Sequence, residues 1–487
     1  MFLILAIVLI NFPYLQAQDL NKAIQQGNLA LVKALLEKEP SLIHSSSGGT
    51  KPLHLAAKLN QKEIAEYLVS LGAVIDEKES DSLDFTPVTW AVRNGNKDLI
   101  EMFLKKGANV QYCSWLGESY LHFAALFNRG ELAELLMSRG IDKNAIKKGN
   151  LTPLHIAVVA GNMDVVKLLV QKGASLDIKS KDGGTPLHFA VAARKNEIAD
   201  FLRQSGAKDM PRDFPGYKGE YLGLKRPGAA PEAFASELFL DIYRSHSAPA
   251  FSPDGKEIYW EGIFMQGRND IPRIWHMKEV EGKWRAPQVA SFSDDPSGGP
   301  AFSYDGKKLF FFSMKPRTGE PARDTDLWYV ERQGDGWSEP RHLNSPVNED
   351  GVSETYPFLA KDGTLYFNFA GSRGSGLSKS AFVNGTYTKP ENLGDLFDSD
   401  YVDDCKDMEH IILMSDRRKE RFNYELFISF HMPDGKWSRP IFMGDRLHQG
   451  KRASLGRVTP DGKHLFFIRD FSLFWVSAKI IEELRPR

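Results

Sequence analysis

Four histidines recur at an even interval, and they are the first residues whose type and spacing suggest chemistry. His54, His122, His155 and His188, with Thr89 in the corresponding place of one copy, mark steps of 35, 33, 33 and 33 residues. Imidazole is a common metal ligand, yet an ion bound at ~2.1 Å needs its ligands to converge. One histidine per unit, in helical units stacked ~10 Å apart, spreads the rings along a line instead. A second candidate is the stretch from Gly444 to Arg452, which looks like a phosphate-binding loop. It has five residues between its glycines, puts Arg452 where a Ser or Thr would hold magnesium, and lacks a following helix. The glycine-rich run from Gly371 to Gly376 reads as a hairpin turn. No Gly-x-Ser-x-Gly elbow, His-Glu-x-x-His helix or Cys-x-x-Cys pair is present.

The elements around the histidines explain their spacing. Thr86-Pro87, Thr152-Pro153 and Thr185-Pro186 stand just ahead of the marker, with Lys51-Pro52 and Ser119-Tyr120 as variants. Proline opens a helix because its φ is preset and it has no N–H to leave unpaired in the first turn. A second helix follows, as in Asp164–Val170, and stops at Gly173, where a left-handed C-cap is readily adopted. A degenerate first copy over residues 18–47 and a shortened last copy over 184–207 give six repeats with atypical ends acting as caps. Period and motif resemble the ankyrin-repeat family. The resemblance implies an all-α solenoid over residues 18–209 in which each histidine ties its turn by hydrogen bonds. It also implies a concave face made of hairpin tips and inner-helix positions, where a protein partner would sit. The tips carry Leu83, Phe85, Trp115 and Leu116, and the inner helices Arg93, Asn94, Leu126, Phe127 and Val159. Aromatics with an arginine have the profile of an interface centre. Packing between repeats is the competing role for Phe85 and Phe127.

Proline and glycine gather over residues 210–229, which reads as a linker. Beyond it, short apolar and aromatic runs alternate with Asp-Gly turns: Asp254-Gly255 before Glu257–Trp260, Asp305-Gly306 before Lys308–Phe312, Asp362-Gly363 before Leu365–Phe367, and Asp461-Gly462 before Leu465–Phe467. Each reads as a hairpin. With a decayed copy at Asp407, the aspartates are 51, 57, 45 and 54 residues apart, the length of a four-stranded propeller blade. Trp284–Pro287, Trp337–Pro340, Tyr387–Pro390 and Trp437–Pro440 supply outer strands, where the N–H that proline lacks costs least. The last copy lacks that strand and Pro231–Ala235 echoes it. The start of the segment is therefore expected to complete the last blade of a five-bladed ring, six blades being the alternative. These hairpins resemble the TolB-like, Trp-Asp-like propeller repeats of bacterial exported proteins over residues 230–487. The expected fold class is multidomain, an all-α ankyrin solenoid followed by an all-β propeller. Some five-bladed propellers are glycoside hydrolases, which use carboxylates in the funnel. His246, Glu354, Asp400, Asp403 and Arg457 are the candidates to line it. Hydrolysis would need two carboxylates ~5–5.5 Å apart for retention or ~6.5–9.5 Å for inversion. Solvated charge at the rim is the favoured role for these residues.

The chain of 487 residues carries 62 Lys+Arg against 63 Asp+Glu. It has no global field to gather nucleic acid or an anionic membrane. Met1–Ala17, with an apolar run from Phe2 to Ile10 and Pro13 behind it, reads as a signal peptide cleaved after Ala17, leaving no transmembrane span. Export to the periplasm or the exterior is expected. Cys113 and Cys405 fall in different domains, so no disulfide is expected. Together these readings predict an exported protein-binding or scaffold protein without catalytic activity, cofactor or metal. Its partner would be a protein, with a cell-envelope component or glycan as further candidates. The alternative is a carbohydrate-active hydrolase.

Overall fold

In the computed structural model the chain forms two units, one running to Met210 and one from Pro211 onward, with residues 181–183 and 192–194 grouped with the second. The structure describes residues 17–46, 50–79, 85–114, 116–212, 214–235, 238, 247–264, 271–316, 324–372, 374–393, 401–406, 410–415, 425–449, 453–469 and 472–486. All but the last residue of the expected signal peptide lies outside the described residues. No helix among the described residues is long and apolar enough to cross a membrane.

The first unit is a row of helix pairs: α1 (residues 17–25) with α2 (Leu29–Lys38), α3 (Pro52–Lys58) with α4 (Lys62–Ser70), and α5 (Pro87–Asn94) with α6 (Lys97–Lys105). It continues with α7 (Tyr120–Leu126) and α8 (Gly130–Ser138), α9 (Pro153–Ala160) and α10 (Met163–Gln171), and α11 (Pro186–Ala192) and α12 (Asn196–Gln204). The first helix of a pair starts where the sequence puts Thr-Pro. Thr86 Oγ1 accepts from the Thr89 N–H at 3.2 Å, and Pro87 fills the first turn. Gly95 and Gly161 end α5 and α9 at φ of 80° and 78°, a conformation that a side chain resists. Ala56, Ala91, Ala124, Ala157 and Ala190 are fully buried. These small side chains let successive inner helices approach closely.

The second unit is a propeller-like arrangement of antiparallel sheets. Four come from contiguous stretches. In the first, β2 (Ala250–Phe251), β3 (Glu257–Phe264), β4 (Ile271–Val280) and β5 (Lys283–Trp284) lie in order, with β6 (Gln288–Val289) also on β4; β1 is Glu232–Ala233. The second repeats the plan with β7 (Ser297–Phe302), β8 (Lys308–Ser313), β9 (Asp326–Gln333), β10 (Gly336–Trp337) and β11 (Arg341–His342). In the third, β12 (Val352–Leu359), β13 (Leu365–Gly371) and β14 (Gly374–Ser380) are followed by a separate ribbon of β15 (Phe382–Val383) and β16 (Thr386–Tyr387), and β17 (Glu391–Asn392) closes the sheet. The fourth holds β18 (Tyr401–Lys406), β19 (His410–Ser415), β20 (Glu425–Phe430) and β21 (Ile441–Phe442). A further sheet joins the two ends of the segment: β22 (Ala453–Val458), β23 (His464–Arg469) and β24 (Ser472–Ser477) are completed by β1, with Glu232 opposite Trp475 and Ala233 opposite Phe474. The Asp-Gly turns behave as their chemistry requires. Asp461 Oδ1 accepts from Thr459 Oγ1 at 2.6 Å and from the Lys463 N–H at 3.0 Å, while Gly462 turns at φ 73°.

Candidate functional site

The recurring histidines of the first unit are structural. His122 Nδ1 meets Ser119 Oγ at 2.9 Å and its Nε2 meets the Leu151 carbonyl at 3.1 Å. His155 does the same with Thr152 and the Gly184 carbonyl, at 2.9 and 3.3 Å. Each ring thus joins its own helix start to the next repeat. Burial holds His122 well below the usual imidazole range, at about 4, with the charge of Lys147 adding to the effect. That lysine forms a buried pair with Glu118 at 2.7 Å, and Glu118 also accepts from Ser114 Oγ at 3.1 Å.

The positions expected to meet a partner divide into three groups. Phe85, Leu116, Phe127 and Val159 are buried, so the interface role expected for them is corrected to packing. Phe85 lies edge-on to Trp90 and Phe123, and Phe127 stacks on Phe123. Repeats that bury one helix pair against the next need large apolar side chains at these very places. Asn94 is half-buried and ties its repeat to the preceding one, donating from Nδ2 to the Lys58 carbonyl at 2.8 Å. Arg93 and Leu126 are half-buried. The Arg93 guanidinium lies 5.2 Å from the Trp90 ring and 5.5 Å from the Phe127 ring. Leu83 and Trp115 lie outside the described residues.

In the second unit the inner strands of three sheets break register at the same place, between Gly298 and Ala301, Thr355 and Phe358, and Ser454 and Arg457, and the sheet of β18 shifts between Val402 and Asp404. Gly299, Tyr356 and Leu455 take positive φ there, at 58°, 48° and 57°. A bulge of this kind re-aims the residues that follow it. Four residues before the hairpin aspartate, Ala250, Ala301 and Phe358 share a position with Arg457. The decayed copy puts Asp403 at this position, so Arg457 and Asp403 are its charged members; Arg457 Nη1 donates to the Pro300 carbonyl at 2.6 Å. It lines a cavity of about 270 Å³ together with Phe251, Phe302, Phe358 and Lys361. Glu354 does not share that cavity. It is buried, accepts from the Glu349 N–H at 3.3 Å, and borders a separate cavity of about 840 Å³ walled by the Asn344–Asp350 loop, β13 and Lys389. Glu354 and Arg457, expected to line one funnel, thus border different cavities, Glu354 ahead of the bulge in its strand and Arg457 behind the one in its own. His246 and Asp400 lie outside the described residues, and of Asp403 only the strand position is described.

Two further stretches are settled by their contacts. The Gly444 loop contains a short helix, Asp445–His448, and His448 Nε2 accepts from the Leu426 N–H at 2.9 Å, so the loop is pinned to its neighbouring strand. Gly371 pairs with Gly374 across a hairpin. One titrating group was missed from the sequence. Glu261, on β3, is buried and accepts from the Gly299 N–H at 3.0 Å. Burial pushes its carboxyl up to about 7, against the pull of that hydrogen bond. The available signal was a lone acid inside the apolar run Ile258–Ile263.

Residues 18–79, 75–147 and 121–213 match the family described as ankyrin repeats (3 copies). The N-terminal unit carries ankyrin repeats. The chain is also similar to curated proteins. It is 33% identical over 135 residues to the putative palmitoyltransferase ZDHHC13 of Danio rerio, a stretch covering 28% of this chain and 21% of that protein. It is 31% identical over 104 residues to the palmitoyltransferase Hip14 of Drosophila melanogaster, covering 21% of this chain and 16% of that one. Over 135 residues it is 30% identical to the ankyrin repeat and SAM domain-containing protein 6 of Rattus norvegicus, covering 27% and 15%. The chain spans about a fifth or less of the length of these relatives. The palmitoyltransferases among them overturn the expectation of a scaffold without catalytic activity, and nothing in them supports a carbohydrate hydrolase. They are animal proteins and lend no support to a bacterial, periplasmic setting.

Proposed function

We propose that this chain takes part in palmitoyl transfer, as an enzyme component that shares a stretch of 104 to 135 residues with palmitoyltransferases. The observation that carries the reading is the 33% identity over 135 residues to a protein of that name. A stretch of that length equals about four ankyrin repeats. Acyl transfer proceeds most simply through a thioester: a thiolate attacks the carbonyl of palmitoyl-coenzyme A, the new C–S bond forms as the donor's C–S bond breaks, and the coenzyme leaves as its thiolate, which takes a proton from water. This chain has two cysteines, so any such intermediate must lie on Cys113 or Cys405. Cys113 is exposed. The test is incubation of the purified full chain with alkyne-tagged palmitoyl-coenzyme A. Label that neutral hydroxylamine removes, and that Cys113→Ser or Cys405→Ser abolishes, is expected. Label no greater than on heat-denatured protein sinks the proposal.

For the second unit, the closer reading is a ring of five TolB-like blades, supported by the pairing of β1 with β24 and by the recurrence of the bulge. A strand-closed ring leaves few open edges.

A further inference from the structure

The third sheet departs from its neighbours at one register position. In the ribbon that leads to the outer strand, Glu279 faces Trp284, Arg332 faces Trp337 and His431 faces Trp437. In the third sheet Phe382 faces Tyr387. A charged or polar side chain elsewhere is thus replaced by a phenylalanine that is 45% exposed, followed by Val383 at 48%. The Phe382 ring leans on Tyr387 with centroids 4.9 Å apart, yet nearly half of Phe382 and of Val383 remains open to water. Beside the ribbon lies a groove of about 900 Å³ bordered by Phe310, Tyr329, Leu359 and Tyr387. Tyr304, Leu359 and Lys361 border both this groove and the 270 Å³ cavity that contains Arg457. A trough with an aromatic floor and a charged rim, in which Lys307, Lys308 and Arg332 join Lys361, therefore runs from the Phe382 tip to the cavity that holds Arg457.

Basic residues outnumber acids along the trough, with Lys307, Lys308, Arg332 and Lys361 against Asp305, Glu331 and Asp362. Its acids are engaged locally: Asp305 accepts from Ser303 Oγ and the Lys307 N–H, Asp362 from the Thr364 N–H, and Glu331 pairs with Lys308 and Arg341. Among the described residues no carboxylate borders the smaller cavity, where Lys361 lies 5.2 Å from the Tyr304 ring and Arg457 stands beside Phe251, Phe302 and Phe358. An elongated bed with an aromatic floor, whose basic residues face locally paired acids and continue into a cavity holding Lys361 and Arg457, fits an amphiphile with one long chain and an anionic head.

We propose that this trough binds a single long-chain acyl group, its chain along Tyr329, Tyr387 and Phe382 and its anionic head toward Lys361 and Arg457. This deepens the palmitoyl-transfer reading by giving the acyl donor a place, and it rests on that reading for the choice of chain. A free fatty carboxylate and an acyl-coenzyme A share the chemistry. The experiment titrates the full chain with palmitate below its micelle concentration, with palmitoyl-coenzyme A and with 1-hexadecanol, reading displacement of a fluorescent fatty acid. One saturable site is expected. Phe382→Asp weakens it at least tenfold with no change in melting temperature, because the side chain is exposed. Lys361→Glu weakens palmitate and palmitoyl-coenzyme A several-fold and leaves 1-hexadecanol unchanged. Tighter binding of palmitate marks a fatty acid site, and tighter binding of the thioester marks a donor site. Absence of saturable binding by both anionic ligands, or equal affinity in Phe382→Asp, overturns the assignment. Binding without hydroxylamine-sensitive label keeps the trough and removes the transfer reading, so the two fail separately.

Discussion

Replacing Glu261 by glutamine should stabilise the propeller unit at alkaline pH and do little at acid pH. The carboxyl is 1% exposed, and burial raises it to about 7 in the fold. In the unfolded chain a glutamate titrates near ~4.3. Between these values the folded state holds a proton that the unfolded state has released, so stability is lost as pH rises from about 4.3 to about 7. A difference of ~2.7 units at ~1.36 kcal/mol each gives ~3–4 kcal/mol, fully expressed above pH ~8. Glu261→Gln has no proton to lose, and its amide oxygen can still accept the Gly299 N–H. The stability gap between variant and wild type should therefore widen by ~3 kcal/mol from pH ~5 to pH ~8. Hydrogen exchange of peptides spanning β3 reads the opening of this sheet apart from the rest of the chain. A gap that stays constant within ~1 kcal/mol, or that moves the other way, would refute the burial argument.

The same corner predicts that Gly298→Ala is destabilising by ~1–3 kcal/mol, since a Cβ there would sit 2.4 Å from Glu261 Oε2 and 2.5 Å from the Phe312 ring; an unchanged melting temperature would show that the strands can part without cost. Lys147→Met should cost ~3–5 kcal/mol by stranding Glu118, and adding Glu118→Gln should recover much of it; urea titrations of the single and double variants decide. His122, held at about 4 by burial, refuses a proton that the unfolded chain accepts below pH ~6.5. Stability of the ankyrin repeats should then fall as pH drops from about 6.5 to about 4, and exchange rates of α7 peptides that stay flat across that range would contradict it.

Both repeat architectures were legible because they rest on backbone demands that only certain residues meet. Thr86-Pro87 starts a helix and Gly95 ends one at positive φ, and Asp254-Gly255 or Asp461-Gly462 can form the tight turns. Even the pairing of β1 with β24 was foreshadowed by the echo at Pro231–Ala235. Side-chain roles were less legible. Phe85, Leu116, Phe127 and Val159 are apolar on the expected face, and a one-dimensional pattern does not separate an apolar residue that waits for a partner from one that packs on the next repeat. Glu354 and Arg457 were grouped as residues of inner strands, but a bulge re-aims the residues that follow it, and Glu354 precedes the bulge in its strand whereas Arg457 follows the one in its own. The scaffold reading was drawn from fold alone, and a fold hosts many functions. The Phe382 tip becomes visible only when the sheets are compared position by position, because its partner across the ribbon is fixed by register.

Acyl loading of the purified full chain tests the account most directly. Mass spectrometry after incubation with palmitoyl-coenzyme A should find one palmitoyl adduct on Cys113 or Cys405, removed by neutral hydroxylamine and diminished in Phe382→Asp. An unmodified chain at saturating palmitoyl-coenzyme A would contradict palmitoyl transfer by this protein.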